Sequence, residues 1–416
     1  MRLNDISKAF VILSLIITFS SCNSGGGDAP PPSAPGVAGL PNGTTLPVIS
    51  GRNVMTLTVN GSNCVVHNNQ LYPNKPCVSI TICNPGSTTT CQTVNDMLLD
   101  TGSYGIRVFK TAIPNLTLSQ VTSAQGGSLA ECVKFADNTS EWGPVKMANV
   151  TMGTEDPITI PIQVIDPSFG TVPGGCGTPD ANVDVAGFNG IVGVGLFTDD
   201  CPSNTCTGNH IANGRYFTCS GSSCAGGTAT LESDLVQNPV SSLSTDNNGV
   251  ILELPSISTA GAQSVSGYLV FGIGTESNNE PSSSVHAYTT NTNGEFDTNF
   301  NGQEFDGIVD SGSNGLFFTP TSSVPACSGT SWMCPSSLQN LSVVTNSVDQ
   351  SASATVNFQI SNANDLFNSG NAAFTDLGGD SSQFFDLGLP FFLGRNVYIG
   401  FESKSSTLAS GTYWAY

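Results

Sequence analysis

The chain has 416 residues and a formal net charge of −20, with 31 acidic against 11 basic side chains. That balance, with no cluster of Lys or Arg, excludes a nucleic-acid-binding surface. The length allows two or three domains and a substantial core.

Residues 1–21 read as a targeting segment. Arg2 and Lys8 precede a mostly apolar run, Ala9 to Phe19, too short to span a bilayer as a helix. Phe19-Ser20-Ser21-Cys22 then leads through small residues to a cysteine, which resembles a bacterial lipobox. The resemblance implies that Cys22 is lipidated, becomes the new N-terminus and anchors the protein to a membrane. Phe19 is unusual at its place in that pattern, and a plain signal peptide is the alternative. Asn23 after the cysteine fits sorting to the outer membrane, so an envelope lipoprotein facing the periplasm or the exterior is expected. Residues 22–49 contain GGGDAPPPSAPG, cannot bury enough apolar surface to fold, and read as a flexible tether.

Beyond the tether the chain is rich in Gly, Ser, Thr and Asn, with short runs of Val, Ile, Leu and Phe. No long segment keeps a 3.6-residue period, so a mainly β body is expected. Of 13 cysteines, 12 remain once Cys22 is set aside, an even number in an exported chain. Cys83 with Cys91, and Cys327 with Cys334, invite local closure. Cys201, Cys206, Cys219 and Cys224 leave nested and sequential pairing open. No C-x-x-C occurs, so disulfides are favoured over zinc, and neither metal nor cofactor is expected. His67, His210 and His286 are far apart and form no zinc-peptidase pattern; no G-x-S-x-G elbow supports a serine nucleophile.

At Met97 to Phe109 the chain reads MLLDTGSYGIRVF, an apolar run ending on Asp100, one of few charges. FNGIVGVGLF follows at Phe188 to Phe197. STDNNG (Ser244 to Gly249) is turn chemistry leading into VILELP, a strand expected to join two lobes. DTNFNG (Asp297 to Gly302) copies the start of a calcium loop, but its twelfth position is Ile308 and no helices flank it, so a β-turn is expected. At Phe305 to Phe318 the opening pattern returns as FDGIVDSGSNGLFF. Both copies give apolar residues, then Asp-[Ser/Thr]-Gly-Ser-x-Gly-[Ile/Leu], with Asp100 and Asp310 separated by 210 residues. A lone D-[ST]-G is ordinary turn chemistry; two copies, each closing an apolar strand, are a specific signal. The aromatic run QFFDLGLPFF near the end is expected to be a buried strand and turn.

The doubled motif resembles the two active-site loops of pepsin-like aspartic peptidases. FNGIVGVGLF and FDLGLPFFLGRNVYIGFE (Phe385 to Glu402) resemble the segments threading under the first and second loops. SGYLVFGIG (Ser266 to Gly274) resembles the strand that opens the second lobe. The likeness covers about Gly51 to Tyr416. More closely still, the chain resembles a family of uncharacterised bacterial envelope lipoproteins with this bilobal architecture. The resemblance implies an all-β, bilobal, pepsin-like fold, with lobes at residues 50–256 and 257–416 and a cleft between them, acting as a monomer.

It also implies that Asp100 and Asp310 are the catalytic pair. Two carboxylates held about 3 Å apart cannot both ionise; they share one proton, activate water and polarise the scissile carbonyl. Gly102 and Gly312 let each loop pass close to the opposite carboxylate. By the resemblance, Thr101 and Ser311 bond across to the other loop, and Ser103 and Ser313 donate to the outer oxygen of their own aspartate. The function so implied is an aspartic endopeptidase acting on peptide or unfolded protein.

Three features depart from that pattern. The hairpin expected to cover substrate, Cys132 to Gly153, carries Phe135 where such peptidases usually have a tyrosine. Trp142 on its other arm offers an indole N–H, although packing is its ordinary role. Asn23 to Ile49 holds no Lys or Arg to mask an acidic cleft. Arg107, in the first loop, is a candidate substrate contact or acid partner, with a solvated strand charge as the default. The rival readings are a catalytically silent binding or scaffold protein of the envelope, or an adhesin-like platform to which neither aspartate matters.

Overall fold

Short β-branched and aromatic runs separated by Gly, Asn and Pro turns should pair into sheets closed on a common core. A computed structural model describes residues 46–416. The expected export signal, the Cys22 anchor and the tether up to residue 45 lie outside that range. The described chain is mainly β, built as a barrel and a half-barrel, so the expected all-β bilobal class holds.

One sheet underlies both lobes. The strand Val54–Val59 pairs antiparallel with Val265–Phe271 over its whole length. That strand pairs with Gly249–Leu254, which in turn pairs with Arg395–Gly400 near the C-terminus. The expected joining strand VILELP is therefore inside this shared sheet, and the segment SGYLVFGIG lies beside the first strand of the chain. These central strands are mostly buried, which is why their middles read as apolar runs.

In the first lobe, Pro76–Cys83 and Cys91–Asp100 form a hairpin whose ends are clipped by Cys83–Cys91. The expected flap is a hairpin of Ser128–Lys134 against the first part of Ser140–Met152. In the second lobe, Phe296–Phe300 turns through Asn301 and Gly302, both at positive φ, into Gln303–Asp310. DTNFNG is thus a hairpin turn, as expected. Phe300, Phe318, Phe358 and Phe385 pack with ring centroids 5.0–6.2 Å apart and form the aromatic centre of that lobe.

All 12 cysteines among the described residues are paired, as Cys64–Cys77, Cys83–Cys91, Cys132–Cys176, Cys201–Cys206, Cys219–Cys224 and Cys327–Cys334. The cluster left open by spacing pairs in sequence rather than nested. Six disulfides mark a protein of an oxidising compartment, extracellular or in the cell envelope. Among the described residues no helix is long and apolar enough to cross a membrane.

Candidate active site

Each copy of the repeated motif folds in the same way. Cys91–Asp100 ends on its aspartate, the chain turns, and Tyr104–Phe109 runs back. Between them threads Gly190–Val194, parallel to Met97–Asp100 and antiparallel to Tyr104–Val108. In the second lobe Phe384–Gly388 takes that place, parallel to Asp306–Asp310 and antiparallel to Leu316–Phe317. The segments expected to thread under the loops are these two strands. A strand wedged between the two arms holds them apart and carries the aspartate to the open edge.

The two turns grip each other across the lobes. The Thr101 hydroxyl donates to the Val309 carbonyl (3.0 Å) and accepts from the Ser311 N–H (2.9 Å). The Ser311 hydroxyl donates to the Leu99 carbonyl (2.7 Å) and accepts from the Thr101 N–H (3.1 Å). Both hydroxyls are fully buried, so each of the four bonds is made without competition from water.

Locked in this way, the loops meet so closely that neither glycine can be replaced. A Cβ on Gly102 would lie 2.6 Å from the Asp310 carboxyl carbon, and one on Gly312 would lie 2.6 Å from Asp100 Oδ1. Asp100 accepts from the Gly102 N–H (2.8 Å) and from the Ser103 hydroxyl. Asp310 accepts from the Gly312 N–H (2.7 Å) and the Ser313 hydroxyl (3.0 Å). Burial, the facing Asp100 charge, the nearby Asp386 and a hydrogen bond with Asp100 together push the Asp310 carboxyl well above the usual range. The pair therefore retains a proton where an isolated aspartic acid would have lost it.

Asp100 and Asp310 face a cavity of about 850 Å³ lined from both lobes. Phe135 lines it from the flap hairpin with Asp137. Trp142 does not: it is fully buried, packs edge-on against Phe217 at 5.5 Å and donates its indole N–H to the Phe169 carbonyl (2.7 Å). Strand alternation turns it away from the cleft, so of the two roles open to Trp142 packing is the one found and the indole N–H is not offered to the cleft. The default expectation for Arg107 is also corrected. Its guanidinium is buried and bonds to Glu131 (2.9 Å), Asp200 (3.0 Å) and the Tyr104 carbonyl (2.6 Å). It is the acid partner, not a solvated charge. Burial still raises the Glu131 carboxyl to about 8, against the opposing pull of Arg107.

Two cleft residues, and one buried beside them, carried no signal in the sequence. Tyr72 lines the cavity from the loop joining Val54–Val59 to Pro76–Cys83. Burial, then the charges of Asp137, Asp100, Asp310 and Asp180, raise its hydroxyl pKa, which puts a phenol within electrostatic reach of both aspartates. Asn74, in the same loop, bonds to the second lobe. Asp386, under the second loop, is fully buried, and neither of its oxygens makes a hydrogen bond of good geometry. The Ser313 hydroxyl beside it donates to Asp310 instead. Cys64 and Cys77 lie with Asp96 at ligand spacing, but their sulfurs are joined to each other and offer no thiolate.

Residues 50–416 match the model of a family described as a protein of unknown function, DUF3443, and the chain belongs to that family. A comparison with curated proteins finds no match.

Proposed function

We propose that this DUF3443 protein is a pepsin-like aspartic peptidase of the bacterial envelope, hydrolysing peptide bonds with water held between Asp100 and Asp310. One observation carries the reading. Two carboxylates, on loops that grip each other reciprocally, line one cleft, and each packs against the glycine of the opposite loop.

The chemistry follows from the one retained proton. Burial, the facing Asp100 charge and the nearby Asp386 push Asp310 toward the acid form, so Asp310 is assigned the proton and Asp100 the role of base. Asp100 takes a proton from water as the water oxygen bonds to the scissile carbon. Asp310 gives its proton to the carbonyl oxygen, leaving a neutral gem-diol. The C–N bond then breaks as a proton passes from Asp100 to the departing nitrogen and a diol proton returns to Asp310. An extended peptide would add as a strand along the cleft beneath the hairpin carrying Phe135. Lipidation of Cys22 would hold the enzyme at the membrane on its tether.

The test is digestion of an unfolded protein by the oxidised protein from acid to neutral pH, beside Asp310→Asn. Hydrolysis that falls by a factor of about 10³ or more in the variant and is blocked by a statine-type inhibitor is expected. No hydrolysis by demonstrably folded protein at any pH would leave a silent peptide-binding module.

A further inference from the structure

Four Lys or Arg side chains line the cavity: Lys75, Arg107, Lys134 and Arg215. Two of them are held by the protein itself. The Lys75 ammonium donates to the Val65 carbonyl (2.7 Å), to Asp96 (2.7 Å) and to the Gly187 carbonyl (3.0 Å). Arg107 is fully buried, with its guanidinium on Glu131, Asp200 and the Tyr104 carbonyl.

Arg215 stands beside the flap hairpin. Its carbonyl accepts from the Cys132 N–H (2.8 Å), and the next residue, Tyr216, pairs with Glu131. Its Nη1 lies 3.4 Å from Glu131 and 3.5 Å from Asp200, where Arg107 reaches the same acids at 2.9 and 3.0 Å. Asp200 also accepts from the Tyr216 hydroxyl (2.7 Å). Both acids are thus bonded closely without Arg215. Burial raises the Glu131 carboxyl to about 8, so below that pH the cluster sets two guanidiniums against one carboxylate. The Nε and Nη2 of Arg215 make no hydrogen bond among the described residues, and its side chain is 20% exposed. Lys134, two residues beyond Cys132 on the same arm, is exposed, and its ammonium likewise has no hydrogen-bond or ion-pair partner among the described residues.

We propose that Arg215, with Lys134, forms a subsite for a carboxylate of the substrate, so that this cleft prefers peptides carrying an acid. The inference rests on the peptide reading above and narrows it. Nε and Nη2 share one edge of the guanidinium, and that edge is the fork a carboxylate fills with two parallel bonds. The other acids lining the cavity have partners of their own. Asp137 accepts from the Thr139 N–H (2.9 Å), Glu295 from the amides of Asn291 (2.9 Å) and Asn293 (3.2 Å), and Asp184 lies 3.4 Å from His67. Asp100 and Asp310 are the dyad, with Asp386 beneath it. An acidic side chain and a free chain terminus offer the same chemistry to Arg215.

The test uses the full oxidised protein and one peptide in which Glu or Gln is placed at each position in turn, with a free or an amidated carboxy terminus. Cleavage is read by mass spectrometry as kcat/KM. At one position Glu should be preferred to Gln by about tenfold or more, the cost of leaving a charged partner unpaired. A preference for the free over the amidated terminus, without one for Glu, would name the terminus as the source of the carboxylate. Arg215→Gln should bring the preference close to one, and Arg215→Lys should keep part of it. Lys134→Gln, at an exposed position, should lower it too and serves if Arg215→Gln does not fold. No carboxylate preference in the wild type, or one that neither Gln substitution lowers in folded protein, would overturn the proposal. Should no peptide be cut, the peptidase reading has failed separately. Anisotropy of labelled Glu and Gln peptides with Asp310→Asn protein then decides, and equal binding, or none, overturns it.

Discussion

The two dyad loops are close copies in sequence, in strand order and in hydrogen bonding, yet the floors beneath them differ. In the first lobe Ile191 stands opposite Leu98, two residues before the glycine that faces Asp100. In the second, Asp386 stands opposite Ile308, two residues before the glycine that faces Asp310. Ile191 packs with Leu98, Phe109 and Phe188. Asp386 is fully buried, and burial, then the Asp100 charge, hold its carboxyl well above the ordinary range. A two-fold motif has been placed on an asymmetric base, and Asp386 in that base adds to the burial and the Asp100 charge that raise the Asp310 carboxyl. The lobes also differ in bracing: five of the six disulfides lie before residue 225 and one lies after it.

The strongest way to probe the shared part is to fill the glycine gaps. Gly102→Ala and Gly312→Ala each force a methyl into the opposite carboxylate at 2.6 Å. Both should lose nearly all hydrolysis and melt at lower temperature, to a similar extent. A fully active variant in either lobe would show that the carboxylates are not held as a pair. Next in size is the grip. Thr101→Val and Ser311→Ala each strand buried partners and should cost about 1–3 kcal/mol in chemical denaturation. Each substitution removes its own two of the four bonds, and the double variant should lose less than the sum, because loops already loosened by one loss hold the other pair of bonds less well.

The asymmetric part is tested by making the floors alike. Asp386→Ile copies Ile191 and removes one of the groups that raise the Asp310 pKa. The alkaline limb of the pH–rate profile should therefore move to lower pH, which a purely structural substitution would not do. Its effect on stability has a sign as well. A folded-state pKa above the unfolded value favours folding below the unfolded pKa, and that contribution is lost as pH rises through the folded one. Asp386→Ile should then raise the melting temperature more at pH 8 than at pH 5.

The smallest expected effect lies outside the dyad. Glu131, raised to about 8 by burial, and Asp199, raised to about 7 by burial and neighbouring acids, both follow the same rule. Between about pH 4.5 and 8 the protein should lose several degrees of melting temperature as pH rises. Glu131→Gln and Asp199→Asn should flatten that slope; a slope unchanged in both would place the pH dependence in the dyad and Asp386 alone.

What could be read from sequence was local. Asp-Thr-Gly-Ser and Asp-Ser-Gly-Ser each end an apolar run, and a run, a turn and a small-residue gap are set by neighbouring residues, so the strand tips and their glycines were legible. Cys83–Cys91 and Cys327–Cys334 were legible for the same reason, being closed within 8 and 7 residues. Charge pairing at distance was not. Arg107 looks like a surface charge until the fold brings Glu131 and Asp200 to it from 24 and 93 residues away. Asp386 hides in an aromatic run because nothing in FFDLG tells that the strand is buried on both faces, its acid included.

The sequence by itself determined that this protein is an all-β chain with two aspartate-tipped strands and a cysteine set suited to an oxidising compartment. Those properties depend on residue type and short spacing alone. Only the tertiary structure decided which residues share the cleft, Tyr72 from a distant loop and Asp386 under one loop, and that Asn74 bonds to Asn314 and Phe374 across 240 and 300 residues. Contacts at that separation leave no periodicity in the chain, because they are made by single side chains meeting where two closed sheets happen to face.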